Sequence, residues 1–373
     1  MAYDGNQFSA RVDTLGNREL YTKVVDQILN SSTYASRVMS DGLRFASKTV
    51  DFTLDVTQDN HGQWVTGLET LNAAATSTTV TTSYAQTAFT IDKMSIMLES
   101  FANTGANAII DLDTYKYEKI AAQALQQIGQ AVYGQGTANQ MHGLESLVDN
   151  GTNAGSIGGV SRTTYAVLDA YVAAASSNKL TLAQMDTMSD NVRAASMLSE
   201  NPNIGLTTKA IFSLYGQLLQ PTVRQMYDAM GGSEFLPLRE KTAKRPDKSL
   251  GAGFMSLSYR TLSLIDDDQM TNVGLNNMYF LNEYNDYLAW YGREEVPEEW
   301  KDVLEKVDFG EFDAYEGTGA MAVEMPSEYN GWYYQKDMVV PYQAGKIARF
   351  WVIGNFLCKA FRRQGKLTGI TGI

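Results

Sequence analysis

From Thr49 to Asp92 the chain runs 44 residues without a Lys, Arg or Pro and carries twelve Thr. It opens with the strict alternation Val50-Asp51-Phe52-Thr53-Leu54-Asp55-Val56-Thr57. Successive side chains on a strand point to opposite faces, so this pattern predicts a ribbon with one apolar face and one wet face. Between Thr57 and Thr82 large apolar residues are too sparse to fill a core, and an extended hairpin that lies on another body is expected. The expected body is a second copy of the same protein.

The rest of the chain sets the scale. At 373 residues and 44% hydrophobic it can bury a large core without disulfides or metals. The single cysteine, Cys358, has no intramolecular partner and sits beside the apolar run Phe350 to Leu357, which predicts a buried, inert thiol. The first residues lack the basic-then-apolar order of a signal peptide, and no stretch approaches the roughly 18 apolar residues of a membrane span. The expectation is a protein made in a cytoplasm with no membrane partner. A formal charge of -12 opposes tight binding to nucleic acid by phosphate neutralisation. That charge is concentrated: Glu294 to Glu328 holds twelve acids and two lysines.

Along the chain, residues 1–44 read as an arm with one short helix near Glu19 to Leu29. After the hairpin, Met94, Ile96 and Leu98 alternate again. Tyr117, Ala121, Ala124, Ile128 and Val132 recur at three and four, with Asp111 or Asp113 as cap and Gly134 as stop, which predicts a helix roughly 30 Å long. A glycine-rich passage from Gly134 to Gly159 reads as turns and a boundary. Helices are then expected from Thr164 to Ala175, from Thr181, and from Ala210 to Leu219 with Pro221 as terminator. Strands are expected at Ile204 to Thr208, Phe254 to Ile265, Met278 to Trp290 and Ile347 to Phe361.

No constellation for catalysis is visible. His61 and His142 lack the second histidine or spaced carboxylate of a metal site or triad. Asp266-Asp267-Asp268 lacks the spacing of a calcium loop and reads as a solvated strand end. Gly134-Gln135-Gly136 closes a helix rather than opening one, so it is no nucleotide fingerprint. Lys359, Arg362, Arg363 and Lys366 form a short basic cluster. The expected answer is no enzyme, no cofactor and no metal.

Several segments in order resemble the major capsid proteins of tailed bacteriophages, the Hong Kong 97-type fold. They are Trp64-Val65-Thr66-Gly67-Leu68-Glu69 at the return of the extended loop, Gly134-Gln135-Gly136 through His142-Gly143-Leu144, Met278 to Asn282, and Phe350 to Ile370. The resemblance implies an α+β fold with an N-terminal arm (1–44), an extended β-hairpin loop (45–100), a peripheral domain with a long spine helix (101–150), an axial domain (151–340) carrying the acidic insertion 294–328, and a return to the peripheral domain (341–373). It implies a structural protein of the virion capsid that self-assembles as hexamers and pentamers into an icosahedral shell around double-stranded DNA. An encapsulin-type nanocompartment shell is the alternative, and an enzyme or solute-binding protein with a hidden site is a third reading.

The partners so implied are other copies of the chain, a portal, a separate scaffolding protein, a decoration protein and non-specific contact with packaged DNA. Val50, Phe52, Leu54, Val56, Trp64, Glu69, Arg362 and Arg363 are the expected inter-subunit residues, with the loop carboxylates Asp51, Asp55, Asp59, Glu69 and Asp92 facing a neighbour's Arg362 and Arg363. Some relatives weld subunits through a loop lysine; none lies between Thr49 and Asp92, so a noncovalent shell is expected.

Overall fold

The computed structural model describes residues 32–57, 64–67, 78–96, 112–136, 139–194, 201–229, 257–260, 262–296, 298–308, 328–339 and 345–373. The expected helix near Glu19 to Leu29 lies outside them, as do Asp59, His61, Glu69 and Leu98. Helix α1 (Thr33–Ser40) begins where Ser32 Oγ accepts the Ala35 N–H at 3.3 Å, and strand β1 (Leu43–Phe45) follows it. Strands β2 (Thr49–Asp55) and β3 (Thr79–Ala85) form an antiparallel hairpin in which Val50 faces Tyr84, Phe52 faces Thr82 and Leu54 faces Val80. Strand β4 (Thr87–Ile96) then runs along a strand from the far end of the chain.

Helix α2 (Leu112–Tyr133) spans 22 residues, about 33 Å, and buries Ile120, Ala121, Ala124, Ile128 and Val132 against the first sheet and α1. Gly129 on this helix is a point of close approach: a Cβ there would sit 2.5 Å from Cβ of Ser32. Short helix α3 (Leu144–Leu147) and the small hairpin β5 (Ser156–Ile157) and β6 (Val160–Ser161) complete the turn-rich passage.

The second half supplies β7 (Tyr171–Ala174), α4 (Leu182–Ala194), β8 (Ile204–Thr207), α5 (Lys209–Ala229), β9 (Leu257–Tyr259), β10 (Leu262–Asp266), α6 (Asp268–Asn272) and β11 (Met278–Leu281). It ends with β12 (Leu288–Arg293), β13 (Leu304–Asp308), β14 (Glu328–Val339), β15 (Gly345–Cys358) and β16 (Gly365–Thr368). One sheet has the order β1-β12-β15-β14-β13, with β4 also paired to β15. The other is mixed, β7-β16-β11-β8-β10-β9, with β8 parallel to β10 and β7 parallel to β16.

Strand β15 organises the first sheet. It pairs with β4 over residues 345–354, with β14 over 346–352 and with β12 over 354–358. Where β14 gives way to β12 the backbones crowd. Gly331 holds φ +91°, and a Cβ there would meet Ile353 O at 2.3 Å; a Cβ on Gly354 would meet the Trp290 ring at 2.4 Å. One core lies around α2, between the first sheet and one face of the second. The opposite face of the second sheet, including Leu264, Met278, Phe280 and Leu367, packs with Met185, Met188, Ile211 and Tyr215 of α4 and α5.

Several sequence expectations are corrected. Residues 164–175 hold a 3-10 turn at Ala166–Leu168 and strand β7, because Tyr171 to Ala174 find backbone partners along β16, and tertiary pairing outweighs helical periodicity. Helix α5 continues through Pro221 to Ala229, so the proline does not end it. Within the expected run Phe254 to Ile265 the described residues form β9 and β10 on either side of Arg260, whose φ is +53°. Met278 to Trp290 divides between two sheets at the 3-10 turn Tyr284–Asp286. β12, β13 and β14 belong to the first sheet, and β16 joins the second.

Candidate inter-subunit surface

The paired part of the hairpin is Thr49–Asp55 with Thr79–Ala85. Val50, Phe52 and Leu54 share one face, and all three pack against the chain's own core. The Phe52 ring lies 6.0 Å from Tyr84 and 5.7 Å from Tyr291, and the Lys359 ammonium sits over both Phe52 (5.3 Å) and Tyr291 (5.4 Å). Tyr84 in turn meets His142 edge to face at 5.5 Å. Burial pushes the Tyr84 hydroxyl pKa up and the His142 pKa below its usual value. Asn355 of β15 locks the joint, donating to Ala85 O at 2.8 Å and accepting from His142 N at 2.9 Å. From the other side Ser83 N donates to Gly158 O at 2.9 Å, and Gly158 holds φ +54° where a Cβ would sit 2.8 Å from Cβ of Thr82.

Val50, Phe52 and Leu54 are thus half-buried on the core of their own chain. Val56, farther out on the same face, is half-buried. Between the two strands, Trp64 is fully exposed and Val65 is 50% exposed.

The outward face of the first sheet is also apolar in part. In β4 the alternation is inverted relative to hydropathy, with Lys93 and Ser95 buried while Met94 (45%) and Ile96 (43%) are exposed. Ile347 lies opposite Met94, and Arg349 pairs with Asp92 at 2.9 Å on the same face. Trp351 continues that face, its Nε1 donating to Gln335 Oε1 at 3.0 Å.

The C-terminal basic cluster is dispersed by the fold. Lys366 is buried and bonded to Glu145 at 3.2 Å, Lys359 is held over the two rings, and the Arg363 guanidinium stacks 4.4 Å above Tyr287. Arg362 remains exposed. Asp267 is not a solvated strand end: it is 1% exposed and its carboxylate accepts Ser32 Oγ and Tyr34 N at 3.0 Å and Gln269 N at 2.9 Å, tying α1 to the start of α6. Cys358 is buried and its thiol is pushed up to about 12, which keeps it protonated and unreactive. Among the described residues no three His, Cys, Asp or Glu side chains are grouped to hold a metal ion, and no helix is long and apolar enough to cross a membrane.

Sequence reasoning missed the polar residues that hold the body together, Asp267, Glu145 and Arg162. Arg162 is 2% exposed, donates to the carbonyl oxygens of Asp149, Ser146 (2.8 Å) and Leu147 (3.3 Å), and lies 5.4 Å over the Phe361 ring. An isolated arginine in a turn carries no sequence signal of such a role.

No protein-family model matches the sequence, and comparison with curated proteins finds no relative. Solved structures do match. The capsid asymmetric unit of cyanophage A-1(L) superposes with a TM-score of 0.67 at 14% identity, covering 95% of this chain and 97% of that one. The holo-SrpI encapsulin complex from Synechococcus elongatus PCC 7942 gives 0.54 at 11% identity, covering 97% and 95%. The capsid of Myoviridae phage XM1 gives 0.53 at 9% identity, covering 94% and 96%. The chain thus has the α+β fold of these shell proteins over almost its whole length.

Proposed function

We propose that this chain is the major capsid protein of a tailed phage, a structural subunit that tiles a closed shell as hexamers and pentamers around double-stranded DNA. The observation that carries the reading is the end-to-end match with the cyanophage capsid subunit, 95% of one chain on 97% of the other. The exposed residues Trp64 and Val65 support it, because a reaching hairpin with an unburied indole suits contact between copies. In this reading α2 is the spine helix, the first sheet is the body of the peripheral domain and the second sheet that of the axial domain.

The tip of one hairpin lies on the outward sheet face of the adjacent subunit, near Met94 and Ile96, and Val56 extends that contact. Glu69, Asp51, Asp55 and Asp59 face the neighbour's Arg362 and Arg363, while Asp92 is paired with Arg349 of its own chain. The segment 294–328 faces outward, since its surplus of acids repels packed DNA. The subunit's first partners are other copies of the same chain, and a portal is a further one.

Size exclusion and electron microscopy of the purified chain test the reading. Megadalton icosahedral particles are expected, and a stable monomer at all concentrations refutes it. The encapsulin match favours one second reading, a nanocompartment shell. Particles from the native source that protect DNA from nuclease support the phage reading, and particles that enclose an enzyme instead support the compartment.

A further inference from the structure

The apolar core between the first sheet and the second contains one buried polar cluster. Its centre is the Glu145 carboxylate on α3, just beyond the end of α2. Oε1 accepts Asn277 Nδ2 at 2.8 Å and the Tyr279 hydroxyl. Oε2 accepts Asn153 Nδ2 at 3.0 Å and the Lys366 ammonium at 3.2 Å. Four donors thus converge from β11, β16, the loop ahead of β11 and the turn after α3. The Lys366 and Glu145 side chains are only 2% and 11% exposed. Tyr279 and Lys366 are directly opposed in the β11–β16 register, so both point from one face of the second sheet into this cluster.

Helix α2 lies on β4 and β15 of the first sheet, and α3 packs against α2. Glu145 is therefore one place where the body built on the first sheet grips the second, with Asp267 another. Apolar contact is non-directional and tolerates sliding or rotation by a few degrees. A carboxylate with both oxygens filled by four donors does not, because hydrogen bonds weaken steeply as they bend. A buried ion pair adds little to stability against an apolar or neutral replacement, and its best-attested use is to select one arrangement among near-equals.

We propose that the Glu145–Lys366 pair sets the angle between the two sheets, and through it the curvature of the assembled shell. The inference rests on the shell reading above. Contacts between copies of a subunit close into a finite container only if each rotation is right, so an angular spread inside the subunit becomes a spread in particle size.

The test is the full chain carrying E145Q and K366M together, prepared in parallel with the parent. This pair removes both charges at near-constant volume. The substituted amide keeps an oxygen to accept from Tyr279 and Asn277, and the Asn153 amide can turn so that its own oxygen meets the new NH2 group. Circular dichroism of the dissociated subunit is expected to place its melting midpoint within about 3 °C of the parent. Electron microscopy is expected to show a distribution of diameters at least about twofold broader, with open or spiral forms. Uniform particles of parental diameter overturn the proposal. So does loss of the folded subunit, which makes the pair a requirement of folding instead of a setting of angle. Failure of the parent itself to assemble sinks the shell reading and is distinguishable from either result.

Discussion

Replacing Trp64 by Ala separates the two halves of the hairpin's role. Trp64 is fully exposed, so its removal takes nothing from the fold of its own subunit. In a shell, an indole seated on a neighbour hides about 200 Å², mostly apolar. At about 25 cal/mol per Å² this is worth about 5 kcal/mol gross. Ordering the loop consumes part of it, leaving about 2 to 4 kcal/mol, the usual scale of an interface hot spot. Each 1.4 kcal/mol is tenfold, so the concentration at which particles first form rises roughly 30- to 1,000-fold. Light scattering against protein concentration measures that threshold, and the melting midpoint of the dissociated subunit stays at the parental value. Phe52→Ala is the internal contrast: Phe52 packs on Tyr84 and Tyr291 of its own chain, so its truncation lowers the subunit's melting midpoint by about 2 to 4 °C. If Trp64→Ala assembles at the parental threshold, the tip is not an anchor and the argument from exposure fails.

Asp267→Ala strands three buried donors, on Ser32, Tyr34 and Gln269, and is expected to cost about 3 kcal/mol in urea unfolding; an unchanged midpoint contradicts the latch between α1 and α6. Burial lowers the His142 pKa, so its contribution to stability is complete above the unfolded value of about 6.5 and is lost as pH falls through the folded value. His142→Phe, which keeps a ring against Tyr84, should flatten the loss of stability between about pH 7.5 and pH 5, and equal slopes for the two proteins exclude His142 as a source. Reversing Arg362 and Arg363 to Glu should raise the assembly threshold most at low salt while leaving the subunit folded, and normal particles discard the proposed pairing with loop carboxylates. Boiling particles in detergent should give one monomer band, since no lysine lies between Thr49 and Asp92; a covalent ladder contradicts this.

What could be read in the sequence was whatever one face of one element dictates. The 121, 124, 128, 132 spacing gives α2 its buried stripe, and the helix ends at Tyr133 just before Gly134. The alternation from Val50 to Val56 likewise sets the hairpin face. What could not be read depends on partners far along the chain. Tyr171 to Ala174 become a strand because β16, almost two hundred residues later, offers an edge. The alternation of Met94 and Ile96 is genuine but faces outward, because Lys93 and Ser95 are turned inward by the pairing of β4 with β15. Glu145 and Lys366 lie 221 positions apart, and neither residue type announces a buried pair. The exposure of Trp64 accords with its place on a sparse loop, whereas the packing of Phe52 on Tyr84 and Tyr291 could not be read, because those rings come together only in the fold.

Strand β15 is bonded along both margins for most of its length, to β4 on one side and to β14 and β12 on the other. A pull transmitted from the hairpin through β4 loads those bonds side by side, all at once, as in a lap joint, and does not open them singly as in a peeling tape. A vessel made of such plates and stressed from within should therefore rip between plates. Its fragments would be whole, refoldable units, and the seams, not the sheets, would set its bursting strength.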